Sequence, residues 1–436
     1  CGTTLTVGAS GDTITFPTGT TIVNNGSQTG FGRTGTVDWQ TGSIKTGTFT
    51  AVNGEGYFVD TSSGVSTANL PAGSAGAIVS FADYTRTFQT NNLTITPNGS
   101  EKIGGIASNF VALTEGQSIT LVYVDATEGW INTAESTGQA GLVAAFIVAT
   151  SPCVATVGDY KIHTFTGPGT FCVSCAGNPL GSGSVDYMVV AGGGGGGGEN
   201  SSNASGGGAG AGGYRESSGA ASGCYTASPL GAGVSALPVS VQGYSIAIGG
   251  GGTGGVGSSS YGTNGAISTF SSITSAGGGF GGSRAPGPSV GNPGGSGGGG
   301  GLNATGGTGN TPPVSPPQGQ TGGGGTPATS AAGGGGAGAV GGCAPSSSVA
   351  GPGGAGATTS INATPTARAG GGGGGGQSTG GTGGTGGGGA GANGNANGTA
   401  GADNTGGGGG GAYDTSGGST GGAGGSGIVI IRYKFQ

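Results

Sequence analysis

The chain changes its hydrophobic rhythm twice. Over the first 150 residues, short apolar–polar alternations are separated by turn-forming residues. GEGYFVDTSSGVSTANLP carries strand residues around a turn at 60–64, and GAIVSFADY alternates around Ile78, Ser80, Ala82 and Tyr84. NLTITPNG is a strand stopped by Pro97-Asn98-Gly99, and QSITLVYVDATEGWINT predicts strands at 118–124 and 129–132 around a turn at 125–129. Turn signals at intervals of roughly 8–12 residues, without a helical period, indicate an all-β sandwich or barrel. A module this poor in large apolar residues has a reason to bury surface against copies of itself. We place this β-rich module at residues 1–150, with a possible subdivision near 50.

From residue 151 onward the rhythm is different. GDYKIHTFTGPGTFCVS predicts a hairpin turning at Gly167-Pro168-Gly169. SVDYMVVA is a strand without alternation, and it runs into seven consecutive glycines at 192–198. Further strands are expected at 239–248 and within AISTFSSITSAGGG, and GIVIIRYKFQ at the end carries the strongest strand signal. Tyr244, Ile246, Ile248 and Phe270 fall at core positions of such strands. Strands thus bracket the glycine tracts, and the bracket closes only if everything between is compact.

Glycine supplies 120 of the 436 residues, a composition that by itself reads as low complexity. Collagen is excluded because the triplet phase slips and the 19 prolines are too few. Glycine tracts can instead form polyproline II-like rods, with three residues per turn and no internal hydrogen bonds. Seven glycines make a rod of roughly 20 Å at that rise. Buried backbone groups must be paired, so many rods packed side by side would bond to one another. Side chains would then sit at every third place, as in GGTGGTGG at 380–387. Flexible linkers are the alternative, and the number of tracts favours rods.

The formal charge is −6 with only ten Lys and Arg and no basic run, which argues against nucleic-acid binding. The longest apolar run, LVAAFIVA at 142–149, is too short to span a bilayer. The sequence starts at Cys1, as a processed chain, a mature lipoprotein or part of a longer protein would. Six cysteines include one CxxC, Cys172 to Cys175, and there is a single histidine, His163. That set is too sparse for zinc, so buried thiols or a disulfide are expected, and no metal or cofactor. Asp38, Glu55, Asp60, Asp83, Asp125 and Asp186 are scattered over separate segments and form no glycosidase-like pair. His163 reads as a structural histidine at an alternating strand position, and no catalytic residue is assigned.

DYKIHTFTGPGTFCVS, SVDYMVVAGGGGGGG, GGYRESSG, YTASPLG, YSIAIGGGG and GIVIIRYKF together resemble the glycine-rich module at the ends of bacteriophage tail fibres. The resemblance covers about residues 155–436. It is similar in kind to the tail-tip adhesins of T-even-type phages, whose glycine-rich domain is a sandwich of polyglycine II helices. GEGYFVDTSS, IVSFADYTRTFQTNNLTI and LVYVDATEGWINT resemble a β module of marine phage fibres. The resemblance implies a homotrimer at the distal tail fibre of a virion, held by other tail proteins and binding a bacterial surface protein or glycan. It gives Tyr214, Arg215 and Tyr225 framework roles. Cys175, Cys343 and the insert at 309–323 depart from the pattern.

Loops between rods are where recognition would sit. The candidates are 199–205, 255–264, 281–295, 309–323, 343–353, 361–370 and the Asn-rich 391–407. Tyr and Arg are enriched in binding hot spots, which selects Tyr261, Arg284, Arg368 and Tyr413; Asn310, Asn393 and Asn395 join them from the Asn-bearing loops. Competing readings are a structural virion decoration fibre, a bacterial or extracellular-matrix surface protein, and an ice-binding bundle with a regular Thr or Ala face.

Overall fold

The computed structural model describes residues 37–135, 144–178, 181–199, 204–223, 225–256, 261–284, 289–325, 329–415 and 418–436. The chain divides into two units, Cys1–Val143 and Ala144–Gln436. The break falls before residue 150 because the segment 147–150 pairs within the second unit. No α-helix occurs among the described residues, and the fold is all-β.

In the first unit, successive strands fall in two sheets. β1 (Asp38–Trp39), β3 (Glu55–Val59), β5 (Ile78–Asp83), β8 (Ser118–Asp125) and β9 (Gly129–Glu135) make one, in that order. β2 (Thr48–Thr50), β4 (Ser66–Asn69), β6 (Leu93–Thr96) and β7 (Phe110–Ala112) make the other. β1, β3 and β5 run parallel, as do β2, β4 and β6. Antiparallel pairs β5–β8, β8–β9 and β6–β7 follow. The chain therefore winds in coils, one strand per sheet per coil. Its turn signals carry it across to the facing sheet rather than back alongside the same strand. Tyr57, Val59, Val79, Phe81 and Leu121 from one sheet meet Ala68, Leu93, Ile95 and Phe110 from the other in one core, with Trp130 wholly buried. The sandwich expected from the alternation is present, and neither sheet closes into a barrel. Phe49 of β2 packs on the same core as β3, so nothing divides the described part of the unit near residue 50.

The base of the second unit is also two sheets. β10 (Ile147–Thr150), β13 (Gly169–Ala176), β18 (Gly243–Ala247), β19 (Ser268–Phe270) and β20 (Ile273–Ser275) form the first. The second has the order β11 (Val154–Val157), β12 (Tyr160–Phe165), β24 (Ile428–Lys434), β14 (Ser184–Val190) and β16 (Tyr214–Glu216), with β17 (Leu237–Pro238) also on β14. Two-stranded pairs join β15 (Ala204–Ser205) to β23 (Tyr413–Asp414) and β21 (Ala357–Thr359) to β22 (Thr366–Arg368). β12 and β13 do not form the expected hairpin. The turn at 166–168 carries the chain from one sheet to the other, and β24 takes the place beside β12. Strands that bracket the glycine region are thereby neighbours, β14 pairing with β24 from Asp186↔Arg432 to Val190↔Ile428.

The β24 sheet is covered on both faces. Phe165, Tyr187, Val189, Val429 and Ile431 pack toward the β13 sheet, with Phe171, Tyr244, Ile246 and Phe270. Met188, Val190, Ile428 and Ile430 pack the other way, with Tyr214, Ala337, Ile361 and Ala369. Burial on both faces is why YMVV and IVII read as unbroken apolar runs.

The glycine tracts are rods. Gly192 and Gly195 donate their N–H groups to the carbonyls of Ala266 and Thr263, Gly193 and Gly196 to Gly425 and Gly422, and Gly194 and Gly197 to Gly210 and Gly207, all at 2.9–3.0 Å. Their carbonyls accept in the same period: Gly193 and Gly196 from Gly252 and Gly255, Gly192 and Gly195 from Gly278 and Gly281, Gly194 and Gly197 from Gly409 and Ala412, at 2.8–3.0 Å. This one rod bonds to a different neighbour in each of six directions and makes no bond within itself, the pattern of polyglycine II. A Cβ added at any of residues 192–198 would lie 1.8–2.4 Å from a neighbouring carbonyl oxygen, so only glycine fits. On an outer rod, Gly381 and Gly384 are buried while Thr379, Thr382 and Thr385 face solvent, the three-residue period predicted for GGTGGTGG.

Candidate functional site

The rods run away from the sheets and back, so their connections gather at two ends. The rod that begins after β14 bonds to Ala266 where it leaves the sheet, and to Ser419 through the Glu199 N–H at its far end. The far end thus collects the ends of rods near 199, 205, 261, 284, 301, 344, 376, 392–398 and 413–420. The sheet end collects the loops at 309–318, 356–369 and 402–406.

This geometry separates the candidate residues. Asn310 and Arg368 lie at the sheet end. Asn310 organises the proline-rich loop. Its Oδ1 accepts from Val314 N (3.1 Å) and Gln318 N (3.2 Å), and its Nδ2 donates to Val314 O (3.0 Å). Arg368 ends β22 and is 6% exposed, with Nη1 buried and without a hydrogen bond among the described residues. Burial lowers its pKa, opposed by the nearby Tyr214 and Glu216. It is a core residue, not a surface contact. The hairpin β21–β22 folds back onto the β24 sheet, which local sequence does not signal.

Tyr261, Arg284, Asn393, Asn395 and Tyr413 lie at the far end. Tyr261 is half-exposed and packs on Phe280 with ring centroids 5.5 Å apart. Arg284 is exposed, and its backbone N–H donates to the buried Glu199 carboxylate at 3.3 Å. Asn393 and Asn395 are exposed. Asn395 Nδ2 donates to Thr415 Oγ1 at 2.6 Å, and its Oδ1 accepts from Thr415 N at 3.0 Å, tying two loops together. Tyr413 is 1% exposed, because the β15–β23 pair turns its ring inward, so it too is corrected from contact residue to core. Residues the sequence did not single out complete this end. Asp414 is buried and accepts from Ser419 N and Oγ at 3.0 Å each, and Asn397 Oδ1 accepts from Thr420 N at 2.8 Å. An acid directly after the heptaglycine was the available signal for Glu199.

The second unit also buries ionisable groups under the base of the rods. Asp186 is fully buried and accepts from Ser217 Oγ (2.7 Å), Gly219 N (3.2 Å), and Ser222 N (2.7 Å) and Oγ (2.5 Å). Glu216 accepts from Tyr214 Oη (2.9 Å) and Ser228 N (3.0 Å), and burial raises its pKa. The Arg432 guanidinium lies 4.3 Å from the Tyr160 ring centre and 5.1 Å from that of Tyr225, flooring an open recess of about 460 Å³ with Thr226, Ser360 and Ala363. Asp186 and Arg432 are register partners across β14 and β24, so the bonds to Asp186 and the ring contacts of Arg432 gather at one step of the central strand pair. Tyr225 and Arg432 belong to this cluster, in line with a framework role for Tyr225.

His163 is fully buried, with Nδ1 2.7 Å from Ser151 Oγ and Nε2 3.2 Å from Tyr433 Oη. Burial, and secondarily the charge of Lys161, lowers its pKa to about 4. Cys153, Cys172, Cys175 and Cys343 are exposed free thiols, which corrects the expectation of buried or paired sulfur for these four. Cys1 and Cys224 lie outside the described residues. Among the described residues, no three His, Cys, Asp or Glu side chains are grouped to hold a metal ion. No helix among them is long and apolar enough to cross a membrane.

A family model described as a glycine-rich domain matches residues 165–434. The chain belongs to this glycine-rich domain family. The match starts at the last residue of β12 and ends at the last residue of β24. The glycine-rich domain therefore includes most of its β base as well as the rods. Among curated proteins, none matches the chain. Within the glycine-rich domain, the far-end surface combines exposed Asn, Ser, Thr and Gln with one exposed Arg284 and the Tyr261 ring. That chemistry suits hydrogen bonding to a polar partner.

Proposed function

We propose that this chain is a bacteriophage tail-fibre receptor-binding protein that adheres to a bacterial surface protein or glycan without catalysis. One observation carries the reading: the interior rods hydrogen-bond through their backbones, while polar loops of varied sequence are collected at the end remote from the β base. A scaffold that needs only glycine inside leaves its loop tips free to change with the receptor. Tyr261, Arg284, Asn393 and Asn395 are the exposed residues assigned to contact. The fibre is a homotrimer on the distal tail of the virion, joined to other tail proteins. Three weak sites per fibre then act together by avidity.

The test replaces residues 392–397 with a Gly-Ser segment in the phage, and separately replaces residues 311–317 at the sheet end. Loss of adsorption only with the far-end replacement, with the near-ultraviolet tyrosine dichroism of the folded domain retained, is the expected result. Normal adsorption after the far-end replacement would overturn the reading in favour of a structural decoration fibre.

A further inference from the structure

Asparagine precedes glycine at Asn25, Asn53, Asn98, Asn264, Asn393 and Asn397. Such pairs are chemically labile, because glycine has no side chain to keep its nitrogen from the amide carbon of the asparagine before it. The attack needs that nitrogen free, since an N–H donated to a carbonyl is held in place and keeps its proton. The Asn25-Gly26 pair lies outside the described residues. In four of the other pairs the glycine nitrogen is engaged. Gly54 N donates to Ile78 O at 2.8 Å, Gly265 N to Gly278 O at 3.0 Å, Gly394 N to Gly376 O at 3.1 Å and Gly398 N to Thr420 O at 2.9 Å. Three of these asparagine side chains are tied as well. Asn53 Oδ1 accepts from Ile78 N (2.9 Å), Asn264 Oδ1 from Phe280 N (3.1 Å) and Asn397 Oδ1 from Thr420 N (2.8 Å). The bonding between rods thus also shields the labile pairs of the glycine-rich domain. Asn98-Gly99 is the exception. It sits in the turn after β6, where Asn98, Gly99 and Ser100 are all exposed. Neither the Gly99 N–H nor the Asn98 amide has a hydrogen-bond partner among the described residues. Gly99 has a φ of +58°, and the space where a side chain would stand is open.

We propose that Asn98 is a site of spontaneous covalent modification, converted through a cyclic imide to aspartate or isoaspartate. The Gly99 backbone nitrogen bonds to Asn98 Cγ and gives up its proton. The Cγ–Nδ2 bond breaks, and Nδ2 leaves with that proton as ammonia. Water then opens the imide. Cleavage of the new N–Cγ bond restores the chain with an aspartate at position 98. Cleavage at the backbone carbonyl carbon instead leaves an isoaspartate, with the chain running through Cγ. Water is the co-reactant, and no oxidant or reductant takes part. Either product places a new carboxylate near Glu101, and isoaspartate also adds a methylene to the turn. That turn is closed by Glu101 N donating to Asn98 O at 3.0 Å. The Glu101 carboxylate in turn accepts from Gly73 N at 2.8 Å and from the buried Trp130 Nε1 at 3.2 Å. Conversion at Asn98 therefore loosens the Glu101 anchor of Trp130 and marks the age of the first unit. This inference is independent of the far-end loops.

The full chain is incubated in mildly alkaline buffer below its melting temperature, once folded and once unfolded in urea. Peptide mass spectrometry follows the amide-to-acid exchange at each asparagine, and an isoaspartyl methyltransferase assay detects the isoaspartate. In the folded chain, Asn98 should convert about tenfold or more faster than Asn53, Asn264, Asn393 and Asn397, whose glycine nitrogens must first lose a hydrogen bond. In urea the gap should close. The proposal is overturned if folded Asn98 converts no faster than the other four, or if the same gap persists in urea, which would assign it to local sequence. Trp39→Phe leaves Trp130 as the one tryptophan. Its emission should shift to the red as the folded chain ages, and Asn98→Gln in that background should hold it constant. An equal shift in both would overturn the link to Trp130.

Discussion

A single methyl group inside the rod bundle tests whether backbone packing holds the glycine-rich domain together. Gly196 and Gly250 both lie in glycine runs, and neither has a positive φ. A Cβ at Gly196 would sit 2.0 Å from the Gly410 carbonyl oxygen, whereas one at Gly250 meets nothing within 4 Å. Relieving the first clash moves one rod against another. At stake are the bonds Gly196 N–H to Gly422 O, Gly255 N–H to Gly196 O and Gly422 N–H to Gly410 O, at 2.8–2.9 Å. Each contributes about 1 kcal/mol net, and a buried group left unpaired costs about 1–3 kcal/mol. Overpacking adds about 1–3 kcal/mol. Gly196→Ala should therefore destabilise by about 3–6 kcal/mol, while Gly250→Ala should be neutral or stabilising by about 0.4–1 kcal/mol through the unfolded chain. At roughly 2 °C per kcal/mol for a unit of this size, the two variants should melt roughly 6–12 °C apart or more. Both tryptophans lie in the first unit, so scanning calorimetry with near-ultraviolet tyrosine dichroism is the suitable assay. Equal melting temperatures for the two variants would refute the packing argument.

Further expectations concern buried and reactive groups. His163 is held neutral with a folded pKa near 4, below the unfolded value of about 6.5; the unfolded chain binds the extra proton, so stability falls as pH drops from 6.5 to 4. The loss should be about 3 kcal/mol, and denaturant titrations of His163→Phe should be flatter over that window; an unchanged slope would contradict the assignment. Asp186→Ala strands the Ser217, Gly219 and Ser222 donors in the interior and should destabilise by about 3–5 kcal/mol, whereas removing the exposed Asn393 side chain should change urea stability by less than about 0.5 kcal/mol. Cys153, Cys172, Cys175 and Cys343 should react with a thiol reagent in the native, reduced protein, and protection of all four until denaturation would contradict their exposure.

Much of this architecture was legible because its signals are local. The unbroken apolar runs of β14 and β24, the alternation of β5 and β8, and the three-residue period of the threonines each follow from one element's geometry. What the sequence concealed depends on distant partners. The Gly167-Pro168-Gly169 signal marks a turn, but whether the flanking strands pair is decided by β24, whose apolar side chains need the place between β12 and β14. The parallel coils of the first unit are hidden likewise, since parallel neighbours are separated by a whole strand of the facing sheet. Arg368 and Tyr413 have the residue types of contact sites. Their burial comes from the β21–β22 and β15–β23 pairs, whose short strands carry little propensity of their own. The far-end surface was legible only as a set of loops. Their division between two ends required the direction of every rod.

The most direct test of the account is immunogold labelling of intact virions with an antibody raised against the far-end segment 392–398. Gold at the outermost tips of tail-attached fibres is the predicted result. Gold on the capsid, or only on cells and free filaments, would contradict the assignment of this glycine-rich domain to the receptor-binding end of a tail fibre.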